Sequence, residues 1–279
     1  MAGLLQGKRG LIMGVANDHS IAWGIAKMAA AAGAKLAFTY QNEITGKRVR
    51  PLAESAKADL ILPCDVEDIA SVDKVFDDVK KKWGKLDFLV HAIAFSDKNQ
   101  LKGRYADTTR ENFIRSMVIS CFAFTEAAKR AGALMGEGGS MLTLTYGGTR
   151  VMPNYNVMGL AKAALESSVR YLAYDFGPAG IRVNAIAAGP VRTLAGAGIY
   201  DARYMFNFQK RHSPLRRSLT LEDVGGPALY LLSDLSAAVT GEIHFVDAGY
   251  HIVAVPHPDV LKVQEELEAR AAAESKAAE

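Results

Sequence analysis

The chain is poor in cysteine. Its two, Cys64 and Cys121, lack metal-ligand spacing and need not pair. A disulfide scaffold is therefore not expected, no metal site is expected, and a reduced, cytoplasmic setting is the default. No apolar run approaches the length of a membrane span, so no membrane partner is expected. Residues 1–8 carry no signal-peptide core. A net charge of +3 is close to neutral and by itself argues neither for nor against nucleic acid; none is expected as a partner. Internal repeats and low-complexity linkers are also missing, so nothing divides the chain into several globular units.

What remains is a chain of 279 residues, 49% hydrophobic and 23% charged, which suits one large core. Short apolar runs alternate with longer helical patterns. Strands are expected at 8–14, 34–40, 60–64, 87–93, 140–145, 182–187 and 242–246. Helices are expected at 21–32, 43–56, 69–83, 109–131, 155–176 and 221–232. This regular alternation implies a parallel sheet covered on both faces. The strands are nearly continuous in apolar residues, as doubly buried strands should be. The expected fold is α/β, a single Rossmann-like, doubly wound parallel sheet of about seven strands. A catalytic domain over 1–255 and a tail over 256–279 are expected. Residues 190–218 break the rhythm, with Gly196, Gly198, Met205, Phe206 and Phe208. They read as a lid or binding loop.

The first strand runs into Gly14 and then Ser20, Ile21 and Gly24. A glycine-bearing turn between a first strand and a first helix is where a pyrophosphate binds. Gly14 lets the chain turn tightly, Ser20 can cap the helix, and Gly24 allows helix and sheet to approach. The second strand ends at Gln41, a neutral residue able to bond ribose hydroxyls, which points to NADH. Lys47 and Arg48 sit on the following helix. The third strand ends at Asp65 and Val66, an adenine clamp. The fourth ends at His91, Ala92, Ile93 and Ala94, with His91 read as a satisfied core histidine. Asn184 and the Gly189–Pro190 turn end the sixth, placing backbone groups that can hold a nicotinamide carboxamide.

Between these pieces lies Tyr146, then Tyr155 and Lys162. Residues seven apart on a helix return to one face about 10 Å apart along the axis. A phenol near an ammonium is the better acid, because positive charge favours phenolate. The pair is a proton donor with an electrostatic helper, suited to reducing a polarised carbonyl or enone. Met158, Met205, Phe206 and Phe208 are candidates for an apolar substrate channel. A basic cluster at Lys210, Arg211, Arg216 and Arg217 reads either as solvated surface or as a docking patch for an acidic partner.

The glycine turn, Asp65–Val66, the Tyr/Lys helix and Asn184 with Gly189–Pro190 resemble the short-chain dehydrogenase/reductase superfamily. Most members space the tyrosine and lysine four apart; here they are seven apart. That spacing resembles the enoyl-[acyl-carrier-protein] reductases of bacterial type II fatty acid synthesis, a divergent branch. The resemblance runs from about residue 4 to about residue 255. It implies NADH-dependent reduction of the trans-2 double bond of an acyl chain on acyl carrier protein, by a homotetramer. It implies cofactor contacts at Gly14, Ser20, Ile21, Gln41, Asp65, Val66, Ile93, Lys162, Val191, Arg192, Thr193, Leu194 and Ala195. It implies substrate contacts at Ser96, Tyr146 and Tyr155, the two tyrosines being catalytic with Lys162. The stretch from Tyr146 to Tyr155 is one residue shorter than the family's usual form, and Ala94 stands where many members have glycine. The alternatives are a carbonyl or alcohol dehydrogenase of the same superfamily, or a silent dinucleotide sensor.

Overall fold

A computed structural model describes residues 3–193, 202–255, 257 and 259. Seven strands form one sheet in the order β3-β2-β1-β4-β5-β6-β7, every neighbouring pair parallel. The strands are β1 (Arg9–Met13), β2 (Lys35–Tyr40), β3 (Leu60–Pro63), β4 (Phe88–His91), β5 (Gly139–Thr145), β6 (Ile181–Ala188) and β7 (Ile243–Val246). Each lies within about two residues of its expected position. The order reverses beside β1, which opens a crevice at the carboxyl ends of β1 and β4, where ligands bind in such sheets.

The helices are α1 (Ile21–Ala31), α2 (Glu43–Ser55), α3 (Ile69–Trp83), α4 (Arg110–Met117), α5 (Ala123–Met135), α6 (Asn156–Phe176), α7 (Ala202–His212) and α8 (Leu221–Leu232). Alternate strand residues face opposite sides, so β1 sends Ile12 to one core and Leu11 and Met13 to the other. The first core is closed by α1, α2 and α8, the second by α3, α5 and α6.

Two elements differ from expectation. The helix expected over 109–131 is α4 and α5 joined by a π-turn, Val118–Phe122. Such a turn inserts a residue into the ladder and re-aims side chains, often at functional sites. Here it places Ser120, whose hydroxyl accepts from the Phe95 amide at 2.9 Å and donates to the Phe95 carbonyl at 3.1 Å. The expected lid loop contains α7, an amphipathic helix whose apolar positions read in sequence as loop residues. Its Gln209 is buried and donates to the Asp247 carbonyl at 2.9 Å.

Side chains cap α2, α3, α4 and α8, from Asn42, Asp68, Thr109 and Thr220. Neither α1 nor α6 has a side-chain cap, and both start at the carboxyl edge of the sheet. No helix among the described residues is long and apolar enough to cross a membrane.

Candidate active site

Gly14 ends β1 with φ +104°, and a Cβ there would stand 2.3 Å from the Ala92 carbonyl oxygen. Only glycine fits that conformation and that approach. The chain then reaches the amino end of α1. Ser20 occupies the cap position but does not cap, contrary to the sequence expectation. Its Oγ turns back and accepts from the Ala16 and Asn17 amides at 3.0 and 3.1 Å. The hydroxyl thus shapes the loop and leaves the first amides of α1 to an anion, which fits a pyrophosphate. Gly24 also differs in role. A Cβ there would meet Leu221 Cβ at 2.8 Å, so it admits α8 and not the sheet.

Gln41 is exposed just past β2. Beside it sits a group that sequence reading missed. Arg50 bonds the Glu43 carboxylate at 2.9 Å and the Tyr40 hydroxyl at 2.7 Å, and lies over the Tyr40 ring. Its charge is thereby matched just past β2. Asp65 accepts from the Glu67 amide at 3.0 Å, and Val66 is buried. Ile93 is half-buried beyond β4. Val191 is buried, Arg192 exposed and Thr193 half-buried; Leu194 and Ala195 lie outside the described residues.

Tyr155 is the residue just before α6, buried, between two asparagines in left-handed backbone, Asn154 at φ +60° and Asn156 at φ +37°. Asparagine tolerates that region better than most residues. The Asn156 amide donates to the Gln100 carbonyl at 3.1 Å and ties the helix start to the segment after β4. The Tyr146 ring meets the Tyr155 ring edge-on, with centroids 5.7 Å apart and planes at 80°. Despite the shortened stretch, Tyr146 therefore aims at Tyr155. Leu101, Tyr155 and Met158 form a small apolar cluster with Tyr146 and Met152 against it. Leu101 and Met152 were not legible in the sequence; they belong to the cluster only because the loops fold over it.

Lys162 is buried and donates to the Leu144 carbonyl at 2.8 Å. Burial pushes its ammonium down to about 8, against partial support from Cys121 and Glu166. The expectation of an acidified Tyr155 is not met: burial pushes its phenol up, and Tyr146 likewise. A phenol in a dry site resists ionisation, so Tyr155 is held as a neutral hydroxyl. His91 is a core residue, as expected, but not a satisfied one. Neither ring nitrogen finds a partner among the described residues, and burial holds its pKa at about 3.

Ser96 bonds the buried Asn112 of α4, whose Nδ2 donates to Ser96 Oγ at 3.1 Å. Phe206 stands elsewhere: with Pro190, Val191, Arg192, Leu219 and Leu221 it lines a cavity of about 320 Å³. Neither Phe206 nor Met205 joins the tyrosine cluster. Asp247, just after β7, accepts from the Gly249 and His251 amides at 3.0 and 2.7 Å. Arg150 donates to the His251 carbonyl, fastening the stretch between the tyrosines to the same place.

Compared with known proteins, residues 14–251 match the family model described as enoyl-(acyl carrier protein) reductase. The chain is 72% identical over 264 residues to enoyl-[acyl-carrier-protein] reductase [NADH] 2 of Rhizobium meliloti, covering 94% of this chain and 98% of that one. It resembles the crystal structure of FabI from Candidatus Liberibacter asiaticus, with TM-score 0.90, 60% identity, and 92% and 100% of the two chains covered. It also resembles the Anaplasma phagocytophilum enoyl-(acyl-carrier-protein) reductase in complex with NAD, with TM-score 0.89, 58% identity, and 92% and 98% covered.

Proposed function

Because this chain belongs to the enoyl-[acyl-carrier-protein] reductases, we propose that Tyr155, Tyr146 and Lys162 carry its reaction. It reduces the trans-2 double bond of enoyl chains on acyl carrier protein with NADH, in fatty acid biosynthesis. When bound, NADH supplies the hydride that adds to the β-carbon. Negative charge then grows on the thioester oxygen as an enolate, and a proton taken up from water at the α-carbon completes the reduction. Tyr155 donates its hydroxyl hydrogen toward that oxygen. Because the phenol is dry and neutral, this donation strengthens as the charge develops and is weak before it does. Lys162 would hold the ribose hydroxyls of the bound cofactor and add positive potential behind the tyrosine. Tyr146 packs on Tyr155, limits its rotation and lines the acyl pocket with Met158.

The remaining residues divide by position. The amides opening α1, with Gly14, Ser20 and Ile21, hold the pyrophosphate. Gln41 takes the adenosine ribose, and Asp65 and Val66 the adenine. Ile93 and residues 191–193 hold the nicotinamide end, the segment continuing through Leu194 and Ala195. Ser96 faces the substrate; Met205 and Phe206 wall the cofactor side of α7.

Acyl carrier protein docks beside α7. Arg217 already pairs with Asp223 through two bonds of 2.5 and 2.8 Å, so Lys210, Arg211 and Arg216 form the patch. The assembly is a homotetramer in the cytoplasm. Its interface uses the outer face of α6, where Tyr171 and Tyr174 are 73% and 84% exposed and Leu160, about three turns earlier, is exposed too. The catalytic domain is 1–255, with 256–279 a tail.

The observation that carries the assignment of roles is the buried Lys162 ammonium on the helix that starts just after Tyr155. Its test is NADH consumption with crotonyl thioesters against a panel of ketones. Turnover of the thioester alone is expected; turnover of ketones with an inert thioester would overturn it. Reversing Lys210 and Arg211 should raise KM for carrier-linked substrate and spare a coenzyme-A-linked one, and light scattering should give the mass of four chains.

A further inference from the structure

Glu166 lies on α6 four residues beyond Lys162, so the two side chains leave one face of the helix a turn apart. It is only 5% exposed. Burying a carboxylate is costly unless it is paired and hydrogen-bonded, and none of the contacts assigned above to NADH or the acyl chain uses it. Its Oε1 accepts from Thr145 Oγ1 at 2.7 Å. A Cβ on Gly148 would stand 2.4 Å from Oε1 and 2.6 Å from Oε2. The carboxyl group is thus wedged between the end of β5 and the turn that follows. Tyr146 is the residue carried between those two contacts, followed by Gly147 at φ +67°.

The groups around the Lys162 ammonium come from several elements. The π-turn contributes Cys121, β4 contributes His91, β5 contributes the Leu144 carbonyl, and its own helix contributes Glu166. The cysteine thiol is pushed up by burial and the histidine is held neutral. Glu166 is the carboxylate of this group.

We propose that Glu166 is a positioning residue of the reductase site: through Thr145 and Gly148 it holds the turn that aims Tyr146, and it is the countercharge that keeps Lys162 an ammonium. The proposal rests on the roles given above to Tyr146 and Lys162. It assigns two separable jobs to one carboxyl group, and two substitutions separate them. Glu166→Gln keeps the shape and an acceptor for Thr145 but removes the charge. Thr145→Val keeps the charge and removes the bond.

In the full-length protein, NADH affinity should be measured by fluorescence from pH 6 to 10, and kcat and KM with an enoyl thioester. In the wild type, NADH binding weakens as pH rises through about 8, where Lys162 loses its proton. In Glu166→Gln that midpoint should fall, because an opposite charge one helical turn away favours the ammonium and has been removed. Thr145→Val should leave the midpoint in place and raise KM for the thioester about tenfold, with Thr145→Ser restoring it. A Glu166→Gln midpoint equal to the wild type overturns the proposal. So does a Thr145→Val KM equal to the wild type. If Glu166→Gln does not fold, the Thr145 pair alone decides. Lys162→Ala serves as the control: unchanged NADH affinity there would overturn the underlying role of Lys162, and not the inference about Glu166 alone.

Discussion

On the face covered by α1 and α8, helices close on one another through glycine. Gly24 meets Leu221, and Gly225 meets Met28 and the Gly24 carbonyl. On the face covered by α5 and α6, the helices bury Lys162, Glu166 and His91. The first face is mainly apolar contact, its buried Ser140 bonded to the Leu231 carbonyl of α8. The second carries desolvated polar groups whose burial opposes stability, and it borders the tyrosines. The difference teaches where to look for chemistry in a doubly wound sheet. On the roles proposed for Lys162 and Tyr155, burial that costs stability is kept where the reaction needs it.

That contrast can be broken by substitution. The largest effect is expected from Tyr155→Phe. Loss of one donor to a developing charge costs about 10²–10³ in kcat, while NADH affinity and Tm should hold; an unchanged kcat would remove the tyrosine from the chemistry. Lys162→Met comes next. Losing hydrogen bonds from a charged group costs about 1.5–3 kcal/mol, so NADH affinity should drop about tenfold to hundredfold. Tm should fall as well, since the Glu166 carboxylate is left buried without its countercharge. A Tm equal to the wild type or higher would mean that the two groups do not support one another. Gly24→Ala tests the opposite face. Its methyl collides with Leu221, and overpacking of this kind costs about 1–3 kcal/mol, read as a lower Tm with kcat per folded enzyme retained.

The smallest effect concerns His91. Its folded pKa, about 3, lies below the ordinary histidine value. The unfolded chain therefore binds a proton that the folded one refuses, and stability falls as pH drops through about 6.5. The loss is on the order of 1 kcal/mol by pH 5.5. His91→Leu should flatten that part of the Tm-against-pH curve; a curve identical to the wild type would assign the acid sensitivity elsewhere.

Strand and helix positions were legible because apolar runs and 3.6-residue patterns are local. The spacing of Tyr155 and Lys162 was legible for the same reason: both belong to one helix. What escaped reading joins distant residues. Thr145 finds Glu166 across 21 positions, Ser96 finds Asn112 across 16, and Phe95 finds Ser120 across 25. No periodicity encodes such partners, and the π-turn that aims Ser120 has no composition of its own. The role of Ser20 was misread because a serine before a helix normally caps it. Here the loop amides compete for the hydroxyl and win. The acidity of Tyr155 was misjudged because a lysine charge was weighed without the dehydration around the phenol.

Asp247 and the residues just after it fasten α7 through Gln209 and the tyrosine-bearing stretch through Arg150. These anchors leave the ribosome after β7. A chain synthesised only as far as β6 has neither attachment. Competence to enclose an acyl group thus waits for the turn after β7, and a stop codon shortly before position 247 would leave both walls untied.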